Sequence, residues 1–143
     1  MIETVVVRPV RGAPSAPLRE LLAALDARHP LRDTVFAAPH RLERADDRRG
    51  VRLVAGRDGV LVGFLHGIPC TGHIALVGAL VEGQGIGTAL VEEFLRLAHA
   101  AGTVLASVVL DSEPGGRWRR RMFFEARGFV STAGSALHFA RPV

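Results

Sequence analysis

Apolar positions recur along this chain in blocks, and the period changes from one block to the next. Thr4 to Val10 is rich in β-branched residues and predicts a first strand, stopped by Pro9 and the Gly12-Ala13-Pro14 turn. Ser15 stands where a helix cap belongs, and Pro17 is tolerated in a first turn. Leu18, Leu21, Leu22 and Leu25 then share one helical face, and Pro30 ends that helix. From 31 to 50 no period emerges; Arg41 to Arg49 is mostly charged and reads equally as a short helix or a loop. Val51 to Arg57 and Val60 to His66 flank Asp58-Gly59, an Asp-Gly pair between two β-rich runs that predicts a hairpin. His73 to Val77 predicts the next strand. Ile86, Leu90, Phe94, Leu97 and Ala101 fall on one face of a helix, with Glu92 and Arg96 paired at i,i+4 and Gly102 as its stop. Val104 to Leu110 is nearly continuous in apolar residues and predicts a central strand. Arg117 to Arg127 predicts a last helix ending at Gly128, and Phe129–Val130 and Ala136–Ala140 predict closing strands. Strands interleaved with helices place the fold in the α/β class.

Composition narrows the setting. A chain of 143 residues, 48% hydrophobic and 22% charged, is expected to fold as one domain, 1–143, around one core. No apolar run reaches the roughly 18 residues that span a bilayer, so no membrane partner is expected. Met1-Ile2-Glu3-Thr4 lacks the basic and apolar regions of a secretory signal. Cys70 is the one cysteine, which excludes an internal disulfide and a Cys-rich zinc site. A cytoplasmic protein without a metal is expected. All 18 basic residues are Arg, and Lys, Asn and Tyr are absent, as in the codon usage of a GC-rich bacterial genome. The net charge of +4 favours anionic ligands, but the basic residues are too dispersed to predict nucleic-acid binding.

The segment that carries chemistry runs Val77-Gly78-Ala79-Leu80-Val81-Glu82-Gly83-Gln84-Gly85-Ile86-Gly87-Thr88. A strand enters a glycine-rich turn that opens a helix. Glycines let several backbone N–H groups converge on one anion, and the helix start adds unpaired donors and a positive dipole end. A phosphate or diphosphate suits such a place; a tight turn that binds nothing also accounts for the glycines. Walker-type nucleotide hydrolysis needs a Lys, and the chain has none. The dinucleotide fingerprint G-x-G-x-x-G meets Thr88 where its third glycine belongs, although Asp111 lies at a distance suited to a ribose contact. An NAD-binding fragment normally opens with this unit, whereas here a helix and a hairpin precede it.

With Val77, Gly85 and Gly87 in place, the loop resembles the acyl-CoA loop of the GNAT superfamily of N-acetyltransferases, written Arg/Gln-x-x-Gly-x-Gly/Ala after a strand carrying a valine. Val7-Arg8-Pro9-Val10 resembles the family's opening strand. Val54-Ala55 through Asp58-Gly59 to Val62-Gly63-Phe64 resembles its hairpin, and Phe123-Phe124-Glu125-Ala126-Arg127-Gly128-Phe129 its late motif. The four segments occur in the family's order and span most of the chain outside residues 30 to 50.

The resemblance implies an α/β fold with a mixed, mostly antiparallel sheet, splayed between its fourth and fifth strands and flanked by helices. It implies acetyl-CoA as co-substrate and a primary amine, small or on a protein, as acceptor, with direct attack on the thioester through a tetrahedral intermediate. The main chain of Val77 and Ala79 would pair with the pantetheine arm. A backbone N–H near Val77 would also stabilise the oxyanion. The amides of Gln84, Gly85, Gly87 and Thr88 would hold the diphosphate, and Arg117, or alternatively Arg121, a further phosphate. A homodimer is common in the family. His73 is the candidate general base, expected in line with Ala75 and Val77; a strand histidine with a local hydrogen bond is the alternative. Glu82 and His66 are weaker bases, Cys70 a remote nucleophile, and Asp111 and Ser112 candidate substrate contacts. Asp33, Glu43, Asp46 and Asp47 can attract a cationic amine or simply face solvent.

Two residues depart from the family pattern. Glu82 stands where Arg or Gln is usual, and a carboxylate beside a diphosphate repels it unless it turns outward or pairs with an Arg. Phe124 stands where many members carry the Tyr that protonates the leaving thiolate. A thiol with a pKa of roughly 8.5 leaves without much help, so the acid role would pass to water or another group. The same two residues leave room for a second function, a non-catalytic acyl-CoA-binding domain.

Overall fold

Asp58 and Gly59 both hold positive φ, 54° and 77°. That is the turn whose twist matches a hairpin, and it joins β2 (Val51–Arg57) to β3 (Val60–Ile68) as expected. The computed structural model describes residues 4–12, 14–28, 50–81, 83–110, 117–135 and 138–143. Around the hairpin stand β1 (Val6–Val10), α1 (Ala16–Arg28), β4 (His73–Ala79), α2 (Ile86–Ala100), β5 (Leu105–Val109), α3 (Arg117–Glu125), β6 (Val130–Ser131) and β7 (His138–Pro142). The strands form one 7-stranded sheet in the order β1-β2-β3-β4-β5-β7-β6. Every pairing is antiparallel except β4 with β5. The mixed α/β sheet expected from the sequence is the one observed.

Helices cover the sheet from both sides. On one face α2 buries Ile86, Leu90, Val91 and Phe94 against Leu53, Leu65, Ile74 and Val108, and Phe124 of α3 joins that cluster. On the other, Leu18, Leu21, Leu22 and Leu25 of α1 pack on Val54 and Phe64. The Ser15 hydroxyl accepts from the Leu18 amide at 3.4 Å, as a cap should. Bare backbone on β3 lets α2 lie close: a Cβ on Gly63 would stand 2.6 Å from Ile86, and one on Gly67 2.5 Å from Phe94.

Several expectations shift in detail. β1 starts at Val6 rather than Thr4 and ends at Val10 as expected, Pro9 being tolerated because an edge strand leaves one row of backbone groups unpaired. The buried face of α2 ends at Ala98, with Leu97 half-buried and Ala101 exposed at the cap. Arg96 pairs with Glu93 at i,i+3 rather than with Glu92. β5 lies inside the sheet but buries one face only: Ala106 and Val108 are covered, while Leu105 and Val109 are each 49% exposed. The segment 31–49 and Pro30 lie outside the described residues.

A bulge in β4 changes which side chains share a face. His66 faces Leu76 and Gly67 faces Ile74, so Ala75 is an extra residue on β4. Alternation is interrupted there. Ile74 and Val77 point to the α2 side, whereas His73 lies across from Ile68, on the α1 side with Leu76. His73 is therefore out of line with Val77, contrary to the expectation from simple alternation.

Candidate functional site

The site begins where two strands part. β4 and β5 pair only at His73↔Ser107 and Ile74↔Val108. The Ser107 amide donates to the Gly72 carbonyl at 2.8 Å, just before the pair opens. Gly72 holds φ +76, and a Cβ there would lie 2.0 Å from the Leu105 carbonyl oxygen, so no other residue fits this clamp. Beyond Ile74 the strands diverge around a cavity of about 760 Å³. Val77, Ala79, Gly85, Gly87, Phe124 and Arg127 are among its lining residues.

Antiparallel geometry orients the free backbone. The Leu80 amide donates to the Val62 carbonyl at 2.9 Å. Backbone groups alternate in such a ladder, so Gly78 and Leu76 also turn toward β3. Val77 and Ala79 turn theirs the other way, toward the gap.

At the far end of β4 the chain enters the glycine loop. Gly85 caps α2 at φ 77°, and no side chain caps the helix. The first amide to find an acceptor is that of Ala89, bonded to the Gly85 carbonyl at 3.0 Å. The amides of Gln84, Gly85, Ile86, Gly87 and Thr88 have no acceptor among the described residues. Space around Gly83 and Gly85 is open, since an added Cβ would meet nothing within 4 Å. Among the described residues none of these nitrogens is used internally; Gln84 and Gly85 are exposed, Gly87 and Thr88 half-buried, and Ile86 buried. Gly87 serves packing instead, because a Cβ there would press on the Phe123 ring at 3.0 Å.

Two arginines flank the loop. Arg57, at the end of β2, donates to the Gln84 side-chain carbonyl. Arg127 donates to the Thr88 hydroxyl and, at 2.7 Å, to the Phe123 carbonyl. Its guanidinium lies 3.8 Å from the Phe123 ring centroid. Burial pushes Arg127 below its ordinary pKa, opposed by the charge of Glu92. Sequence reasoning passed over Arg127 in favour of Arg117 and Arg121. In the sequence it is marked only by its place one residue before Gly128 and four after Phe123, in the turn that follows α3.

The remaining candidates separate. Phe124 is 2% exposed and touches Phe123 and Phe129 edge-on, with centroids 5.0 and 5.2 Å apart. His73 is half-buried, with Nδ1 3.3 Å from Ser107 Oγ, at the closed end of the gap and on its α1 side. His66 is half-buried on β3 and shares that side. Cys70 is exposed in the turn before β4. Arg121 pairs with Glu125 at 3.1 Å and leans on Phe139, and Arg120 lines the cavity instead. Arg117 opens α3, but its side chain lies outside what is described, as do Glu82, Asp111, Ser112, Asp33, Glu43, Asp46 and Asp47. Among the described residues, no three His, Cys, Asp or Glu side chains gather as metal ligands, and no helix is long and apolar enough to cross a membrane.

Comparison with known proteins agrees with this geometry. The profile of the Acetyltransferase (GNAT) family matches residues 18–129. No curated protein matches the sequence. Among solved structures, an acetyltransferase from Thermus thermophilus superposes with a TM-score of 0.75 at 20% identity, covering 99% of each chain. The PaiA N-acetyltransferase from Thermoplasma acidophilum, in complex with coenzyme A, gives 0.73 at 14% identity, covering 98% of this chain and 99% of that one. An aminoglycoside 6'-N-acetyltransferase complexed with coenzyme A gives 0.66 at 16% identity, covering 96% of each.

Proposed function

The chain belongs to the Acetyltransferase (GNAT) family, and on that footing we propose that it acts as one domain transferring an acetyl group from acetyl-CoA to a primary amine. One observation carries the reading: the gap between β4 and β5 leads directly to a run of unpartnered amides at the start of α2. A long substrate with a polar, amide-bearing arm and a diphosphate matches both ends of that path. The presence of coenzyme A in two proteins of the same fold supports it.

Each part of the site then has a role. The outward backbone groups of Val77 and Ala79 hold the pantetheine arm as a neighbouring strand would. The amides of Gln84, Gly85, Gly87 and Thr88 receive the diphosphate, aided by the helix dipole; Arg117, which opens α3, is assigned a further phosphate contact. The thioester carbonyl rests in the gap, with its oxygen toward the Val77 amide. A neutral amine attacks the carbonyl carbon, forming the C–N bond, and the amide donor stabilises the charge that gathers on oxygen. Collapse of that adduct breaks the C–S bond and releases the thiolate. The proton lost by the nitrogen passes to His73, which approaches from the α1 side. In the tautomer whose Nδ1 carries the proton toward Ser107 Oγ, Nε2 is the basic nitrogen.

Thiol release from acetyl-CoA across a panel of primary amines tests this. Amine-dependent release, with the acetylated amine recovered, is the expected result. The second reading, a domain that binds acyl-CoA without turning it over, draws on Phe124, which offers no proton to the leaving group. Tight binding of CoA with no release for any amine would favour that reading over the enzyme.

A further inference from the structure

Arg96 is held by Glu93, and Arg121 by Glu125. Arg127 has no such carboxylate: among the described residues no acid lies within ion-pair distance of it, and Glu92, whose charge reaches it, makes no hydrogen bond or ion pair with it. Its two terminal nitrogens donate to neutral oxygens, those of Phe123 and Thr88. Its Nε is buried with no partner among the described residues. A partly buried cation satisfied only by neutral acceptors is costly unless an anion completes it. Thr88, to which it bonds, is also the last residue of the run of free amides. Cation and amides thus meet at one wall of the same cavity.

From this juxtaposition we infer that Arg127 is the counter-charge for the diphosphate of the acyl donor, an inference that rests on the acyl-CoA reading above. The Thr88 hydroxyl and the face of Phe123 hold the guanidinium in position before the ligand arrives. The diphosphate then replaces a neutral contact with a charged one, and a planar fork meets phosphate oxygens along its edge. The 3′-phosphate at the other end of the nucleotide is not the group assigned.

Binding of CoA and of dephospho-CoA, which keeps the diphosphate and lacks the 3′-phosphate, is measured by calorimetry for the wild type, Arg127→Gln and Arg127→Lys. Arg127→Gln is expected to weaken both ligands by the same factor, about tenfold or more. Arg127→Lys is expected to recover much of that loss, since it keeps the charge. Unchanged CoA affinity in a folded Arg127→Gln protein overturns the inference while leaving the acyl-CoA reading intact. A loss confined to CoA also overturns it, because the charge would then serve the 3′-phosphate. Equal weakening in the Gln and Lys variants overturns it as well, since packing alone would explain that. A wild-type protein that binds neither ligand overturns the acyl-CoA reading and this inference with it.

Discussion

One hydroxyl separates Phe124 from a general acid, and its ring already borders the cavity, packed edge-on between Phe123 and Phe129. Phe124→Tyr is expected to raise kcat with little change in KM for acetyl-CoA, by about tenfold where departure of the thiolate limits the rate. Steady-state kinetics of the variant on the best amine checks this; an unchanged kcat would mean that thiolate departure is not limiting. His73 makes the complementary case. His73→Gln keeps a side chain able to reach Ser107 but offers no base, so kcat/KM should fall about 100-fold while CoA affinity holds. A fall in CoA affinity of the same size would instead mark His73 as a structural residue. Arg96 provides a control away from the site. Its hydrogen bond holds the Glu93 carboxyl below its ordinary value of 4.5. The stability this contributes is complete above the unfolded carboxyl's pKa and is lost as pH falls through the lower folded value. Arg96→Ala should therefore lower the melting temperature slightly at neutral pH and leave it unchanged well below the carboxyl range.

At the scale of elements, the clamp at Gly72 decides where β4 and β5 separate. Gly72→Ala combines a positive φ with a clash against the Leu105 carbonyl, and a cost of about 2–4 kcal/mol is expected, read as a shift in the urea midpoint. This feature was hidden in the sequence, where Gly72 does no more than open the apolar run His73 to Val77. What could be read in advance was what local rules dictate. The Asp58-Gly59 turn, the Ser15 cap, the leucine face of α1 and the Gly102 stop each follow from neighbours in the chain, and each is found. The glycine loop was legible for the same reason, since Gly83 and Gly85 take the positive φ their lack of a side chain permits. Features set by distant partners were not. The bulge at Ala75 depends on pairing with β3, so alternation put His73 on the wrong face. The contact of Arg127 with Thr88 joins residues 39 positions apart and leaves no local trace. Arg96 chose Glu93 over Glu92 because both sit within reach on one helix, and local spacing cannot rank them.

Across the whole molecule, the sheet is two parts joined by a short parallel contact at His73 and Ile74. A ligand seated in the gap touches both parts, so binding should stabilise the fold as a unit. At a hundredfold excess over Kd, CoA is expected to raise the melting temperature by on the order of 5–10 °C. A calorimetric scan with and without CoA measures this, and pantetheine lacking the phosphates should give a smaller rise. The donors at Val77, Ala79 and Gln84 through Thr88 belong to the peptide chain itself. A residue exchange at most of these positions leaves the donor untouched. On the acyl-CoA reading proposed above, such a cradle is set by main-chain geometry more than by side chains, so most side-chain exchanges there should leave CoA affinity unchanged. The constraint then falls on close backbone contacts such as the one at Gly72, which fixes where the two half-sheets part.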